Sequence, residues 1–314
     1  MAVPEDELLR HLRARGLVAA DVPLQARPLT GGVSSDVYAV VGPGLDVVVK
    51  RACGRLRVAD EWLADEERLV TEGWALRVAA DLQPGAVPRV LDLDPSTRTL
   101  VLERAPRSWR EWRAELLAGR VDPAVGELLG RTLAGWHEAT RGETRWLAGF
   151  ADKTAFVQLR IDPFHRVVAA RHPDLAPLIE AVVERLLARA DCLVHGDFSP
   201  KNVLVGDDRV WVLDWEVAHL GDPLFDLAYL LCHLTLKAIH LPAHAARCRA
   251  TAARFLAAYG AEAGEELGAN VACLLLARVD GKSPADYLTP LERERVRALG
   301  RELLHNPTLL EEWT

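Results

Sequence analysis

Apolar positions along this chain change their spacing several times, and each change marks an element. Leu8, Leu9 and Leu12 recur at helical spacing, with Pro4 suited to a first turn, Glu5, Asp6 and Glu7 complementing its positive end, and Gly16 closing it. The spacing then shortens, predicting strands over 37–41 and 46–50 around the turn Gly42-Pro43-Gly44, with a turn-rich loop over 28–36 before them. Helical spacing returns with Leu69, Leu76 and Ala79 or Ala80, which predicts a helix over 60–82. Strands over 87–92 and 99–103 follow, separated by Asp94-Pro95-Ser96. The order strand, strand, helix, strand, strand describes a small antiparallel β-rich lobe with one helix.

Beyond Arg104 the pattern changes. Residues 107–190 read as mainly helical, broken near Pro123, Pro163, Pro173 and Pro177; residues 192–215 return briefly to strand; from 223 onward the chain is helical again. The fold class is therefore α+β, with two lobes expected to share a cleft: 1–104, and a larger helical lobe over 105–314. A length of 314 residues with 50% hydrophobic content supports a sizeable core.

The formal net charge of -7 argues against nucleic-acid binding, which needs a surplus of Lys and Arg on one face. The basic run over 50–57 has no interleaved aromatics and reads as a solvated loop. The 5 cysteines are odd in number and form no CxxC pair, so neither a disulfide framework nor a zinc site is expected, and a reducing cytoplasm fits best. No apolar stretch approaches the roughly 20 residues of a bilayer span, and the acidic N-terminus lacks the apolar core of a signal peptide.

The chemistry is concentrated in one block, Leu193-Val194-His195-Gly196-Asp197-Phe198-Ser199-Pro200-Lys201-Asn202-Val203-Leu204-Val205, followed by Gly206-Asp207-Asp208 and Arg209-Val210-Trp211-Val212-Leu213-Asp214-Trp215-Glu216. Two short apolar runs around a Gly-Asp-Asp turn predict a tight hairpin. It sets Asn202 just before one strand and Asp214 just after its partner, so both emerge at one end of the ribbon. An amide oxygen and a carboxylate there make a hard oxygen site of the kind magnesium prefers. Asp197, five residues before Asn202, can reach the same place.

The spacing His-x-Asp-x-x-x-x-Asn, with a later Asp214, resembles the protein-kinase catalytic loop and its magnesium aspartate. With Gly221-Asp222-Pro223-Leu224-Phe225-Asp226, it is closer still to the aminoglycoside phosphotransferase and choline kinase superfamily, over about residues 29–287. The resemblance implies a protein-kinase-like fold, a nucleotide-binding lobe over 1–104, and a catalytic and substrate lobe over 105–314. It implies a kinase that transfers the γ-phosphoryl of ATP or GTP to a hydroxyl of a small molecule, with Mg²⁺ as cofactor. Asp197 is then the base, and Asn202 and Asp214 hold the metal. Lys50 neutralises phosphates and pairs with Glu72, although Glu66 also lies on an apolar side of that helix. Gly31, Gly32, Ser34 and Ser35 cover the phosphates, and the stretch around Glu103 and Ala105 meets adenine.

Other residues have readings that stay open. His195 reads as a brace, Asp222 with Pro223 as a helix start, and Asp226 as an anchor for the catalytic loop. Glu216 is placed to touch substrate or a second metal, and equally to be solvated. Asp280 and Asp286 suit an amine while Arg278 and Lys282 suit an anion, so the acceptor stays open. Trp109, Trp112, Trp136 and Trp146 read as core first and pocket second. Two features argue against a protein kinase. Gly196 stands where regulated protein kinases often carry arginine, and the interval from Asp214 to Asp226 is too short for an activation segment. A nucleotide-binding module without turnover is the alternative class, although Lys50, Asp197, Asn202 and Asp214 are all present.

Overall fold

Three acidic residues open the first helix, α1 (Glu5–Ala14), which buries Leu8 and Leu12. The computed structural model describes residues 5–29, 35–52, 67–143 and 147–313. The chain divides into two units, Met1–Arg107 and Ser108–Thr314, three residues beyond the division expected after 104.

The first unit is a five-stranded antiparallel sheet, β1 (Gln25–Pro28), β2 (Ser35–Gly42), β3 (Leu45–Ala52), β4 (Val90–Asp94) and β5 (Thr99–Glu103), in the order β1-β2-β3-β5-β4, with α2 (Arg68–Leu82) between β3 and β4. Register explains its two faces. Tyr38 pairs with Val49, Val40 with Val47, and Val49 with Val101, so alternation puts all five on the face that packs with Leu8 and Leu12. Burying each of those leucines stabilises by about 1.5–3 kcal/mol. Lys50, paired with Leu100, falls on the opposite face, where α2 packs against β3, β4 and β5. The strand β1 was not predicted, and β4 begins at Val90 rather than 87, with a register shift between Val90 and Asp92. Residues 60–66 of the expected helix lie outside the described residues.

The second unit begins with β6 (Arg110–Glu111), α3 (Trp112–Leu117) and α4 (Pro123–Thr140), whose start is capped by Asp122 accepting from Ala124 N at 3.0 Å. Next comes one irregular helical run: α5 (Thr154–Phe156), a π-helical stretch Val157–Arg166, and α6 (Val167–Arg171). Pro163, expected to break the helix, sits inside the widened stretch, where i→i+5 bonding tolerates its missing N–H. Then follow α7 (Ala176–Ala188), β7 (Cys192–Val194), β8 (Val203–Val205), β9 (Val210–Val212), β10 (His219–Gly221), α8 (Leu224–His240), α9 (Ala245–Tyr259), α10 (Glu265–Asp280) and α11 (Pro290–His305). Strands β6, β8 and β9 form one antiparallel sheet, and β7 pairs with β10. Helices α8 and α10 are buried along most of their length. Helices α4 and α9 approach backbone to backbone, since a Cβ on Gly126 or Gly130 would stand 2.3 Å from the carbonyl oxygen of Thr251 or Phe255. Among the described residues no helix is long and apolar enough to cross a membrane. Cys192, Cys232, Cys248 and Cys273 are buried free thiols; Cys53 lies outside the described residues.

At four of the buried histidines of this unit burial lowers the pKa: His165 and His219 to about 4, His195 and His233 also below the usual value. The unfolded chain takes up these protons near pH 6.5; the folded chain does so only at lower pH. Stability is therefore full above pH 6.5 and is lost progressively as pH falls below it. Urea unfolding should show a midpoint at pH 5 well below that at pH 7.5. A midpoint that holds constant over that interval would mean water reaches these rings.

Candidate active site

The hairpin of β8 and β9 closes with Gly206 N–H donating to Arg209 O at 3.0 Å. Trp109 covers Gly206 and meets Trp211 edge-on at 5.1 Å. The ladder runs one step further: Leu213 N–H donates to Asn202 O at 2.8 Å. That bond brings Asn202 and the residue after Leu213 to one end of the ribbon. The latter is Asp214, held at φ 67°, a conformation that costs a non-glycine residue about 1–3 kcal/mol and clusters at functional sites.

The loop before the hairpin is fixed from three sides. Asp226 on α8, fully buried, accepts from His195 N at 2.6 Å and Gly196 N at 2.8 Å. His137 on α4 contacts the same carboxylate at 3.3 Å, and its other nitrogen meets the Tyr259 hydroxyl at 2.9 Å. Asp197 N–H donates to His195 Nδ1 at 3.0 Å, so the opposite nitrogen carries the proton that His195 Nε2 gives to Leu213 O at 2.9 Å. A neutral His195 thus braces the loop against the hairpin, and burial lowers its pKa and keeps it neutral. Gly196 takes φ +74°, and a Cβ there would stand 2.7 Å from Val217 O.

These braces deliver Asp197. Its Oδ2 receives Asn202 Nδ2 at 2.8 Å, Lys201 Nζ at 2.9 Å and Arg160 Nη2 at 3.0 Å. Its Oδ1 is buried and accepts no hydrogen bond among the described residues. One carboxylate oxygen is locked by three donors and the other by none of the described residues. Burial alone would raise this pKa, but the charges of Arg160 and Lys201 outweigh it and hold the carboxyl well below the usual range. Arg160, in the π-helical stretch, is itself buried. It also donates to Gly196 O at 2.8 Å and Leu159 O at 2.7 Å, and lies over the rings of Phe164 and Tyr229. Burial opposes its charge; Asp197, Tyr229, Glu216 and Asp214 support it. The sequence reading missed Arg160 and gave Lys201 no role. The signal for Arg160 was a single cation between apolar Leu159 and Ile161.

Asn202 spends its amide nitrogen on Asp197, at 3.0 Å to the main-chain oxygen and 2.8 Å to Oδ2, which leaves its amide oxygen as the acceptor that a cation can use. No group of three or more His, Cys, Asp or Glu side chains suited to a metal occurs among the described residues. An amide oxygen together with Asp214 would make a two-ligand set. That fits magnesium, which takes one or two carboxylates and completes its shell with phosphate and water.

In the first unit Lys50 Nζ donates to both oxygens of Glu72, at 2.6 and 2.9 Å, and Glu72 is 1% exposed. The helix thus offers Lys50 the carboxylate at Glu72; Glu66 lies outside the described residues, as do Gly31, Gly32 and Ser34. Ser35 is buried at the start of β2. Glu103 ends β5 with its carboxylate on Arg89 at 3.0 Å, and Ala105 is half-buried two residues later.

Asp280 is engaged in ion pairs of its own. Its oxygens accept from Arg297 at 2.7 and 2.8 Å and meet His172 at 2.8 Å, so this carboxylate ties α10 to α11 and is already neutralised. Asp222 accepts from Leu224 N at 3.0 Å at the start of α8. Glu216 is half-buried near Arg160. Trp112 and Trp136 are core residues, the latter edge-on to Trp215, while Trp146 is outside the described residues.

Residues 25–270 match the model of a family described as "Phosphotransferase enzyme family". Methylthioribose kinase of Geobacillus kaustophilus is 27% identical over 252 residues, which are 71% of this chain and 63% of that protein. The chain thus matches under two thirds of the length of that relative. Among solved structures, a choline/ethanolamine kinase family protein from Mesorhizobium loti superposes with a TM-score of 0.58 at 20% identity, covering 98% of this chain and 97% of the other. LicA in complex with AMP superposes with a TM-score of 0.55 at 14% identity, over 95% and 98%. These likenesses show the fold of protein-kinase-like small-molecule kinases.

Proposed function

Since the chain belongs to the phosphotransferase enzyme family, we propose that it is a small-molecule kinase that moves the γ-phosphoryl of ATP or GTP to an acceptor hydroxyl. One observation carries this reading: Asp197 has one oxygen pinned by Arg160, Lys201 and Asn202 and the other buried and unpartnered. That is the arrangement of a carboxylate that must aim at a hydroxyl proton. The acceptor oxygen bonds to the γ-phosphorus as the bond from that phosphorus to the nucleoside diphosphate breaks, and the hydroxyl proton passes to Asp197 Oδ1. A carboxylate with a depressed pKa is a weak base. It takes the proton late, once the forming O–P bond has made the hydroxyl acidic, as the loose transition state of phosphoryl transfer allows.

Asn202 and Asp214 would hold Mg²⁺, which when bound cancels phosphate charge. Lys50, oriented by Glu72, would contribute a second positive charge. The stretch 31–35 would cover the phosphates, and the backbone around Glu103 and Ala105 would meet the base, in line with the AMP held by LicA. The odd number of cysteines, with no CxxC pair, supports a reducing, cytoplasmic setting.

The test is calorimetry of the purified chain with Mg·ATP and Mg·GTP, followed by an ADP- or GDP-release screen across hydroxylated acceptors. Metal-dependent nucleotide uptake followed by acceptor-dependent release is expected. Absence of uptake for both nucleotides removes the proposal, and uptake with no release for any acceptor favours a binding module instead.

A further inference from the structure

A cavity of about 230 Å³ opens in the second unit beside Lys201, the residue whose ammonium sits on Asp197. Arg113, Lys201, Lys237 and Arg278 line it, with His233 and one carboxylate, Asp286. The charges there do not balance. Asp286 pairs with Arg113 at 2.8 Å and Asp197 with Lys201 at 2.9 Å. Lys237 and Arg278 have no carboxylate partner among the described residues. Lys237 on α8 is fully buried, and its contacts are the hydroxyl of Tyr287 at 3.1 Å and the face of that ring. Arg278 on α10 donates to Ser283 Oγ at 3.1 Å, while its Nε is buried with no partner. His233, one helical turn before Lys237 and 8% exposed, has Nδ1 in the same condition.

We infer, on the footing of the kinase reading above, that this cavity seats an oxyanion carried by the acceptor, so that the preferred acceptor bears a carboxylate or phosphate as well as the hydroxyl presented to Asp197. A buried ammonium and a half-buried guanidinium facing one space repel each other and lose hydration, and an anion between them relieves both penalties. Burial, then Arg278 and Arg113, push the Lys237 ammonium down to about 7, which is the response of a cation that lacks its counter-charge. The depressed imidazole of His233 has burial and the charges of Lys237 and Arg278 among its causes. An acceptor bearing an ammonium group would meet the same cations and be repelled. Asp280, the carboxylate that could have welcomed it, is occupied by Arg297.

The test uses the full chain and matched acceptors: a hydroxycarboxylate against its amide, a sugar phosphate against the free sugar, and an amino sugar. An anionic member is expected to exceed its neutral partner in kcat/KM, and whichever pair shows this names carboxylate or phosphate. Lys237→Met should reduce that advantage by about tenfold to a hundredfold, the worth of a charge-assisted hydrogen bond, mainly through KM. Its thermal midpoint should stay level or rise, because a merely structural lysine would be missed on removal and a buried uncompensated one is not. Inorganic phosphate should raise the midpoint of the native chain and not that of Lys237→Met; this arm needs no turnover and reads the cavity even if nucleotide is not bound. Arg278→Gln serves should Lys237→Met not fold. Preference for the amino sugar, or anion selectivity unchanged in the folded variants, overturns the inference while leaving the kinase reading intact.

Discussion

Asp197→Asn is expected to cut turnover by roughly two to four orders of magnitude, the range of a positioned proton acceptor. The amide keeps the shape of the carboxylate but cannot take the hydroxyl proton at Oδ1. It also withdraws the negative charge from Arg160 and Lys201. Arg160 is buried, so stability should fall as well, by an amount on the order of 3 kcal/mol, as when one partner of a buried ion pair is lost. Two measurements separate these effects. Steady-state release of nucleoside diphosphate reports the chemistry, and calorimetric uptake of Mg·ATP reports that the protein still folds and still binds. Turnover within tenfold of the native rate, in a variant that binds normally, would take Asp197 out of the reaction.

The second large effect is expected at a residue that touches no reacting atom. In Asp226→Asn one oxygen becomes an NH₂ facing the N–H of His195 or Gly196, so a buried donor loses its acceptor. The contact from His137 loses its charged partner too. The expected cost is about 3–5 kcal/mol of stability. Turnover should fall about a hundredfold, because a misplacement near 1 Å in a catalytic group costs that much. Urea unfolding and kcat on the same preparation check both. A variant with native stability and native kcat would mean the loop is held by His195 and Arg160 alone.

How much of this was legible depended on distance along the chain. The hairpin that sets Asn202 beside Asp214 involves consecutive residues, and its turn residues announce it. Strand β3 and helix α2 were legible from periodicity, while the pairing of Lys50 with Glu72 was implied by the family resemblance, with Glu66 left open. Strand β1 has no alternation of its own; it exists because Gln25–Pro28 finds an edge of β2. Arg160 contacts a carbonyl 36 residues away through a helix that Pro163 seemed to forbid, and no local rule connects the two. The role of Asp280 stayed open for a similar reason. A polar segment was visible, but the arginine at 297 that consumes the carboxylate belongs to the next helix.

Gly196 has a further consequence. Its positive φ and the Val217 carbonyl pressed against it leave no room for a long basic side chain at that point of the loop. A docking handle for a modified segment, of the sort that switches many signalling kinases on, is sterically barred. The proposed enzyme would therefore be always ready, its flux governed by how much nucleotide and acceptor reach it.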